Sequence, residues 1–220
     1  MNSNNIKIML TGATGMVGEG VLLECLENPT VSEVLMINRR HFDLVHPKLK
    51  ELVVADFLNL AGVKEQLIGY DACFYCAGIS SLGMSEMDYT KITYDTTMQF
   101  ARTLKEINSD MVFIFVSGSH TDSTEQGKLM WARVKGRTEN ELKELFPGRQ
   151  YNFRPGLIKP SKGQHNFKGY NRYIKLLYPV LSPFFSACNL QQVACAMIRT
   201  SVSGYDKNIL EVKDILLQAK

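Results

Sequence analysis

Apolar residues fall in short blocks separated by polar, charged or glycine-rich joints. Ile6 to Leu10 (IKIML) is a compact apolar run that stops at Thr11-Gly12, as a strand buried on both faces would. From Met16 to Leu26 the period changes. Val17, Val21, Leu22 and Cys25 share one helical face, and the pattern ends near Asn28-Pro29. Glu33 to Ile37 (EVLMI), Glu51 to Ala55 (ELVVA), Ala72 to Cys76 (ACFYC) and Met111 to Val116 (MVFIFV) repeat the strand-like block. Ala61 to Ile68 predicts a short helix and Met87 to Ile107 a long one. This alternation, without two-residue hairpin turns, predicts an α/β fold with a doubly wound parallel sheet. After Tyr151 the pattern loosens. A strand (YNFRPG) leads to a basic loop from Lys159 to Lys168, an aromatic helix and a helix near Gln191 to Thr200. A strand at Asn208 to Val212 and a short helix close the chain. Residues 1–220 read as one domain, with 157–220 as a small appendage to its sheet.

Composition narrows the class. The chain has 220 residues, 45% hydrophobic and 21% charged, enough for an ordinary core and unlike a disordered or collagen-like chain. A net charge of +3 with no basic tract gives no reason to expect nucleic acid. The start, MNSNNIKIML, lacks the basic and long apolar segments of a secretory signal, so a cytoplasmic protein is expected. Five cysteines fit buried thiols in a reducing compartment. Cys73 and Cys76 form a CxxC inside a strand, where they face opposite sides of the sheet, and no zinc-spaced partners follow. His41, His46, His120 and His165 are scattered, so no metal site is expected.

The informative joint is Thr11-Gly12-Ala13-Thr14-Gly15-Met16-Val17-Gly18, between the first strand and the first helix. Glycines at 12, 15 and 18 let the chain turn sharply and bring backbone N–H groups to a phosphate, and the helix N-terminus adds positive partial charge. The alternative is a plain tight turn. The second strand closes on Asn38-Arg39-Arg40. An acidic residue there usually holds the ribose of NAD; two arginines suit a 2′-phosphate, so NADP is favoured over NAD. Asp56-Phe57 follows the third strand, where it can reach an adenine edge. Cys76-Ala77-Gly78 follows the fourth, with small residues for pyrophosphate and ribose. Each alone also reads as a strand-end turn.

With these residues in line, the chain resembles the short-chain dehydrogenase/reductase superfamily. It is most similar to the atypical and extended branches, the epimerase/dehydratase-like and Tat-interacting-protein-like groups. TGATGMVG, NRR, ADF, CAG, VSGS, WARVKGRTE and FRPG carry the likeness, in that order. The resemblance implies a Rossmann fold, a bound NAD(P), and chemistry by a Ser, a Tyr and a Lys. Lys135 matches the lysine that holds the nicotinamide ribose, and Ser119 (or Ser117) the serine that orients a carbonyl. The tyrosine position holds Trp131, whose indole N–H donates a hydrogen bond but does not ionise usefully. Three readings follow: another proton donor (His120, Tyr89 or Tyr94), water as the proton source, or a nucleotide-binding sensor without turnover. Pro155 and Gly156, in FRPG, match the segment beside the nicotinamide.

The implied function is an oxidoreductase acting on a small carbonyl or alcohol. Nucleotide-sugar epimerisation is weaker, because it uses the missing tyrosine as base. The aromatic stretch Tyr170 to Ala187 reads as pocket wall, as a subunit interface that would make a homodimer, or as a peripheral membrane contact. Lys175, Pro179 and Pro183 argue against a membrane span. The basic loop (Lys159, Lys162, His165, Lys168) reads as solvated, with an anionic substrate as the lesser alternative.

Overall fold

A computed structural model describes residues 5–161, 163–166 and 186–220. β1 (Ile6–Thr11) lies inside a seven-stranded sheet, between β2 (Val31–Asn38) and the central strand β4 (Ala72–Tyr75). β3 (Leu49–Val53) forms one edge beyond β2. On the other side β5 (Val112–Val116), β6 (Gln150–Arg154) and β9 (Ile209–Glu211) follow β4, and every pairing is parallel. The chain therefore leaves β1 in one direction and returns on its other flank at β4. A crevice opens at the carboxyl ends of strands where order reverses in this way.

Strand alternation builds two core layers. Ile8, Leu10, Val34, Met36, Phe74 and Ile114 face α1 (Met16–Glu27), α5 (Leu190–Ser203) and α6 (Val212–Gln218). Met9, Leu35, Ile37, Tyr75, Phe113 and Phe115 face the opposite side. There α2 (Glu86–Thr90) passes through one π-helical turn (Lys91–Asp95) into α3 (Thr96–Ile107), beside α4 (Met130–Leu145). Cys73 lies in the second layer while Cys76 packs against the first, as their spacing requires; none of the five cysteines is in a disulfide. Helix α1 stops where Asn28 turns extended ahead of Pro29. Ser85 caps α2, its hydroxyl accepting from the Asp88 N–H at 3.1 Å.

The architecture matches the expectation, with local differences. β3 begins two residues earlier than its apolar block, and the segment Ala61–Leu67 is a 3-10 rather than an α-helix. β7 (Leu157–Lys159) and β8 (Ala187–Asn189) pair as a separate two-stranded parallel sheet that was not expected. Three-residue strands carry too little alternation to show in a sequence. The expected aromatic helix, Lys162 and Lys168 lie outside the described residues. No helix among those described is long and apolar enough to cross a membrane.

Candidate functional site

The glycine loop sits at the crevice. Gly12 has φ +76°, and a methyl there would come within 2.6 Å of the Cys76 and Ala77 backbone at the end of β4. The Ala77 N–H donates to Thr11 Oγ1 at 3.1 Å, which ties the two strand ends together. At Gly18 a methyl would lie 2.1 Å from the Gly12 carbonyl oxygen, so α1 can start only if that residue has no side chain. Gly15 differs. Its φ of −100° suits any residue, and a methyl would meet only the Gly12 oxygen at 3.4 Å. Thr14 and Gly15 are exposed, Met16 and Val17 half-buried, and no side chain caps α1. The open N-terminus is suited to an anion.

At the end of β2, Asn38 is buried and its Nδ2 finds no partner, an unusual state for an amide. Arg39 and Arg40 are exposed and make no hydrogen bond or ion pair with described residues. Asp56 is exposed, with Oδ1 accepting the Leu58 N–H at 2.9 Å. Phe57 is instead a core residue, packed against Phe100 at 5.3 Å, and is not free to meet an adenine. Gly78 is exposed beyond Cys76 and Ala77.

The reacting end lies past β5 and β6. Ser117 is buried and its hydroxyl shares a hydrogen bond with Thr121 Oγ1 at 2.9 Å. Thr121 closes a turn on the Gly118 carbonyl, and the turn presents half-buried Ser119. His120, at its exposed tip, has φ +68°. A methyl at Gly156 would stand 3.3 Å from Ser119 Oγ, so β6 delivers Gly156 beside that hydroxyl. The same methyl would strike the Ser186 oxygen at 2.2 Å, so this glycine is also needed for chain crossing. Pro155 is buried. Trp131 lies against Gly118, 3.9 Å from where that residue's Cβ would be. One turn further along α4, Lys135 Nζ sits 5.8 Å from the Phe115 ring centre, with no hydrogen bond or ion pair to described residues. Burial pulls its pKa down to about 8, against a smaller upward pull from Glu139.

Ser119, Trp131, Lys135 and Gly156 therefore gather at one end of the crevice, with the glycine loop and Asn38-Arg39-Arg40 along it. Two candidate proton donors do not join them. Tyr89 is core, its hydroxyl pushed up by burial. Tyr94 donates to Glu141 and accepts from Arg137 at 3.1 Å; burial and Glu141 raise its pKa.

Sequence reasoning missed Glu139, Ser123 and Glu19. Arg154, at the end of β6, is buried and forks onto Glu139, with Nε to Oε1 at 3.0 Å and Nη2 to Oε2 at 2.5 Å. The four-residue step from Lys135 to Glu139 was the readable signal for a shared face. Glu19 is buried in the first turn of α1 and accepts the His165 and Asn166 N–H groups, each at 2.8 Å. Nothing local encodes that contact.

The sequence profile of the NAD dependent epimerase/dehydratase family matches residues 8–137, more than half of the chain. The chain belongs to that family. Among relatives, the mitochondrial protein fmp52 of Aspergillus fumigatus is 28% identical over 158 residues, 69% of this chain and 66% of its own. Protein HTATIP2 of Rattus norvegicus is 25% identical over 156 residues, 70% of this chain and 63% of its own. The chain thus spans just under two thirds of these relatives' length. The expected cytoplasmic location gains no support from relatives whose names carry "mitochondrial". Among solved structures, a UDP-N-acetylglucosamine 4-epimerase from Methanobrevibacter ruminantium superposes with TM-score 0.70 at 15% identity, covering 94% of this chain and 76% of its own. The Bordetella bronchiseptica enzyme WbmF in complex with NAD+ gives 0.69 at 12%, covering 100% and 78%. These share the fold. The glycine cradle, the unpartnered Asn38 amide and three cations with no hydrogen bond or ion pair to described residues fit the NAD(P) that the family binds.

Proposed function

We propose that the protein is an NADP(H)-dependent oxidoreductase acting on a small carbonyl or alcohol. One observation carries this reading: cations with no hydrogen bond or ion pair to described residues lie along one crevice, Arg39 and Arg40 beyond β2 and Lys135, over the Phe115 ring, on α4. The two guanidinium groups grip a 2′-phosphate, and the α1 N-terminus receives the pyrophosphate. Lys135 donates to ribose hydroxyls, and Ser119 donates to the carbonyl oxygen. The bound dihydronicotinamide supplies the hydride. Trp131 offers an N–H but no proton to give up, so the proton comes from water or from His120 on the exposed turn. The segment 157–220 supplies the substrate side, in a protein working in the cytosol.

Fluorescence titration with NADPH and NADH tests the cofactor half. NADPH is expected to bind about tenfold or more tightly, with the preference lost in Arg39→Ala/Arg40→Ala. Equal affinities in the native chain overturn it.

Trp131 itself favours a second reading, a nucleotide sensor without turnover. If the native chain reduces nothing on a panel of aldehydes and ketones while Trp131→Tyr does, the sensor reading stands. Native turnover that disappears in Ser119→Ala removes it. Epimerisation of a nucleotide-sugar is weaker, because Trp131 cannot act as its base.

A further inference from the structure

Arg154 is the most heavily engaged side chain near the reacting end, yet it touches neither Ser119 nor Lys135. Its guanidinium reaches three elements. Nε and Nη2 fork onto the Glu139 carboxylate of α4, which is itself only 1% exposed. Nη2 also donates to Ser123 Oγ at 2.7 Å, in the loop that carries Ser119. Nη1 donates to Glu211 Oε1 at 3.3 Å, at the end of β9. The loop is fastened to α4 elsewhere as well: the Asp122 N–H donates to the Ala132 carbonyl at 3.1 Å, and Gly136 leaves room for the Asp122 backbone.

We propose that Arg154 is a positioning residue: it clamps the Ser119 loop to the Lys135 helix, so a buried ion pair sets the spacing of two groups that do not touch. The roles of Ser119 and Lys135 rest on the function proposed above; the clamp rests on geometry alone. A bidentate guanidinium–carboxylate pair holds direction as well as distance, which a lysine at 154 would not reproduce. Glu139 also matters for charge. It stands one turn beyond Lys135, and Arg154 from β6 stands behind it, with Glu211 from β9 behind that. The centre of the Phe115 ring of β5 lies 5.8 Å from Lys135 Nζ. Removing Glu139 alone would take away the one carboxylate that raises the Lys135 pKa and leave the buried Arg154 guanidinium without its forked partner.

Amide hydrogen exchange of the ligand-free protein, with NMR titration of the labelled Lys135 side chain, tests the clamp. The lysine signal is assigned by its loss in Lys135→Arg. Ser123→Ala cuts the loop arm only, and is expected to speed exchange at residues 118–122 about tenfold while leaving the Lys135 midpoint in place. Arg154→Lys is expected to speed the same amides at least as much. Glu139→Gln is expected to move the Lys135 midpoint below about 8, with partial return in Glu139→Gln/Arg154→Met. Glu211→Ala, cutting the outer arm, should change neither readout. Native exchange at 118–122 in both Ser123→Ala and Arg154→Lys overturns the clamp. If the ion-pair variants do not fold, Ser123→Ala decides alone. NADPH titration of the native chain is a separate arm: absence of binding removes the proposed function and leaves the exchange result standing.

Discussion

An alanine methyl at Gly12 would press on the backbone of Cys76 and Ala77 from a residue already at φ +76°, while at Gly15 it would meet almost nothing of the protein. The spacing GxxGxxG makes these positions look equivalent, and the structure separates their duties. Gly12→Ala and Gly18→Ala are each expected to lower unfolding stability by about 3 kcal/mol or more. Gly15→Ala should leave stability within about 0.5 kcal/mol, yet weaken NADPH about tenfold or more by filling the space a phosphate needs. Denaturant melts and cofactor titration of the three variants check this pattern, and a Gly15→Ala chain with native affinity would sink the phosphate-loop assignment. At this scale the sequence was readable where spacing gives proximity, Trp131 lying against Gly118 and Ser119 beside Gly156, while the roles of Ser119, Trp131 and Lys135 stand as proposed. It misled at Phe57, because a strand-end aromatic looks the same whether it turns toward a crevice or into the core beside Phe100.

Helix α4 carries Trp131, Lys135 and Glu139 at four-residue steps, so one stripe holds an indole, an ammonium and a carboxylate. Lys135 is half-buried, and its pKa falls from 10.5 to about 8 because burial disfavours the charge. The sign of its linkage follows. Below about 8 both folded and unfolded chains hold the proton, and the burial cost is fully present. Between about 8 and 10.5 only the unfolded chain holds it, so this residue's contribution to stability improves as pH rises through that window. Lys135→Met removes the cost. The variant's melting temperature should exceed the native value near neutral pH, and the gap should narrow as pH climbs through the window. A gap independent of pH would show that Lys135 is not held as the geometry indicates. In the native chain NADPH affinity should fall as pH rises through about 8, as the ammonium that serves the ribose is lost. β1 was legible because burial on both faces writes a continuous apolar block, and α1 because its apolar residues recur on one helical face. β7 and β8 were not, since their pairing is fixed by contacts across about thirty residues of chain.

Across the whole molecule, the cofactor helix is held from far along the chain. The Glu19 carboxylate accepts the His165 and Asn166 N–H groups, Gln164 Nε2 donates to the Met16 carbonyl at 2.6 Å, and Ser161 Oγ donates to Glu24 at 3.0 Å. The described part of the loop is therefore docked on α1 through its backbone, Ser161 and Gln164, while the Lys159 and His165 side chains stay exposed as expected. Such contacts, spanning more than a hundred residues, leave no local signature, and a glutamate in a first helical turn reads as an ordinary partner for the helix dipole. Docking in this way gives the glycine loop and the start of the substrate-side segment a common support. In Glu19→Ala both backbone N–H groups lose a charged acceptor, with an expected cost of about 2–4 kcal/mol. Hydrogen exchange should rise at residues 163–166 and in the first turn of α1 together, while the α4 amides keep native protection. Bound NADPH, by stabilising the folded state through mass action, should restore protection at α1 and, through Gln164, at 163–166. If cofactor slowed exchange at α1 alone, the loop and the phosphate helix would be independent units, and the docking contacts would be packing without coupling.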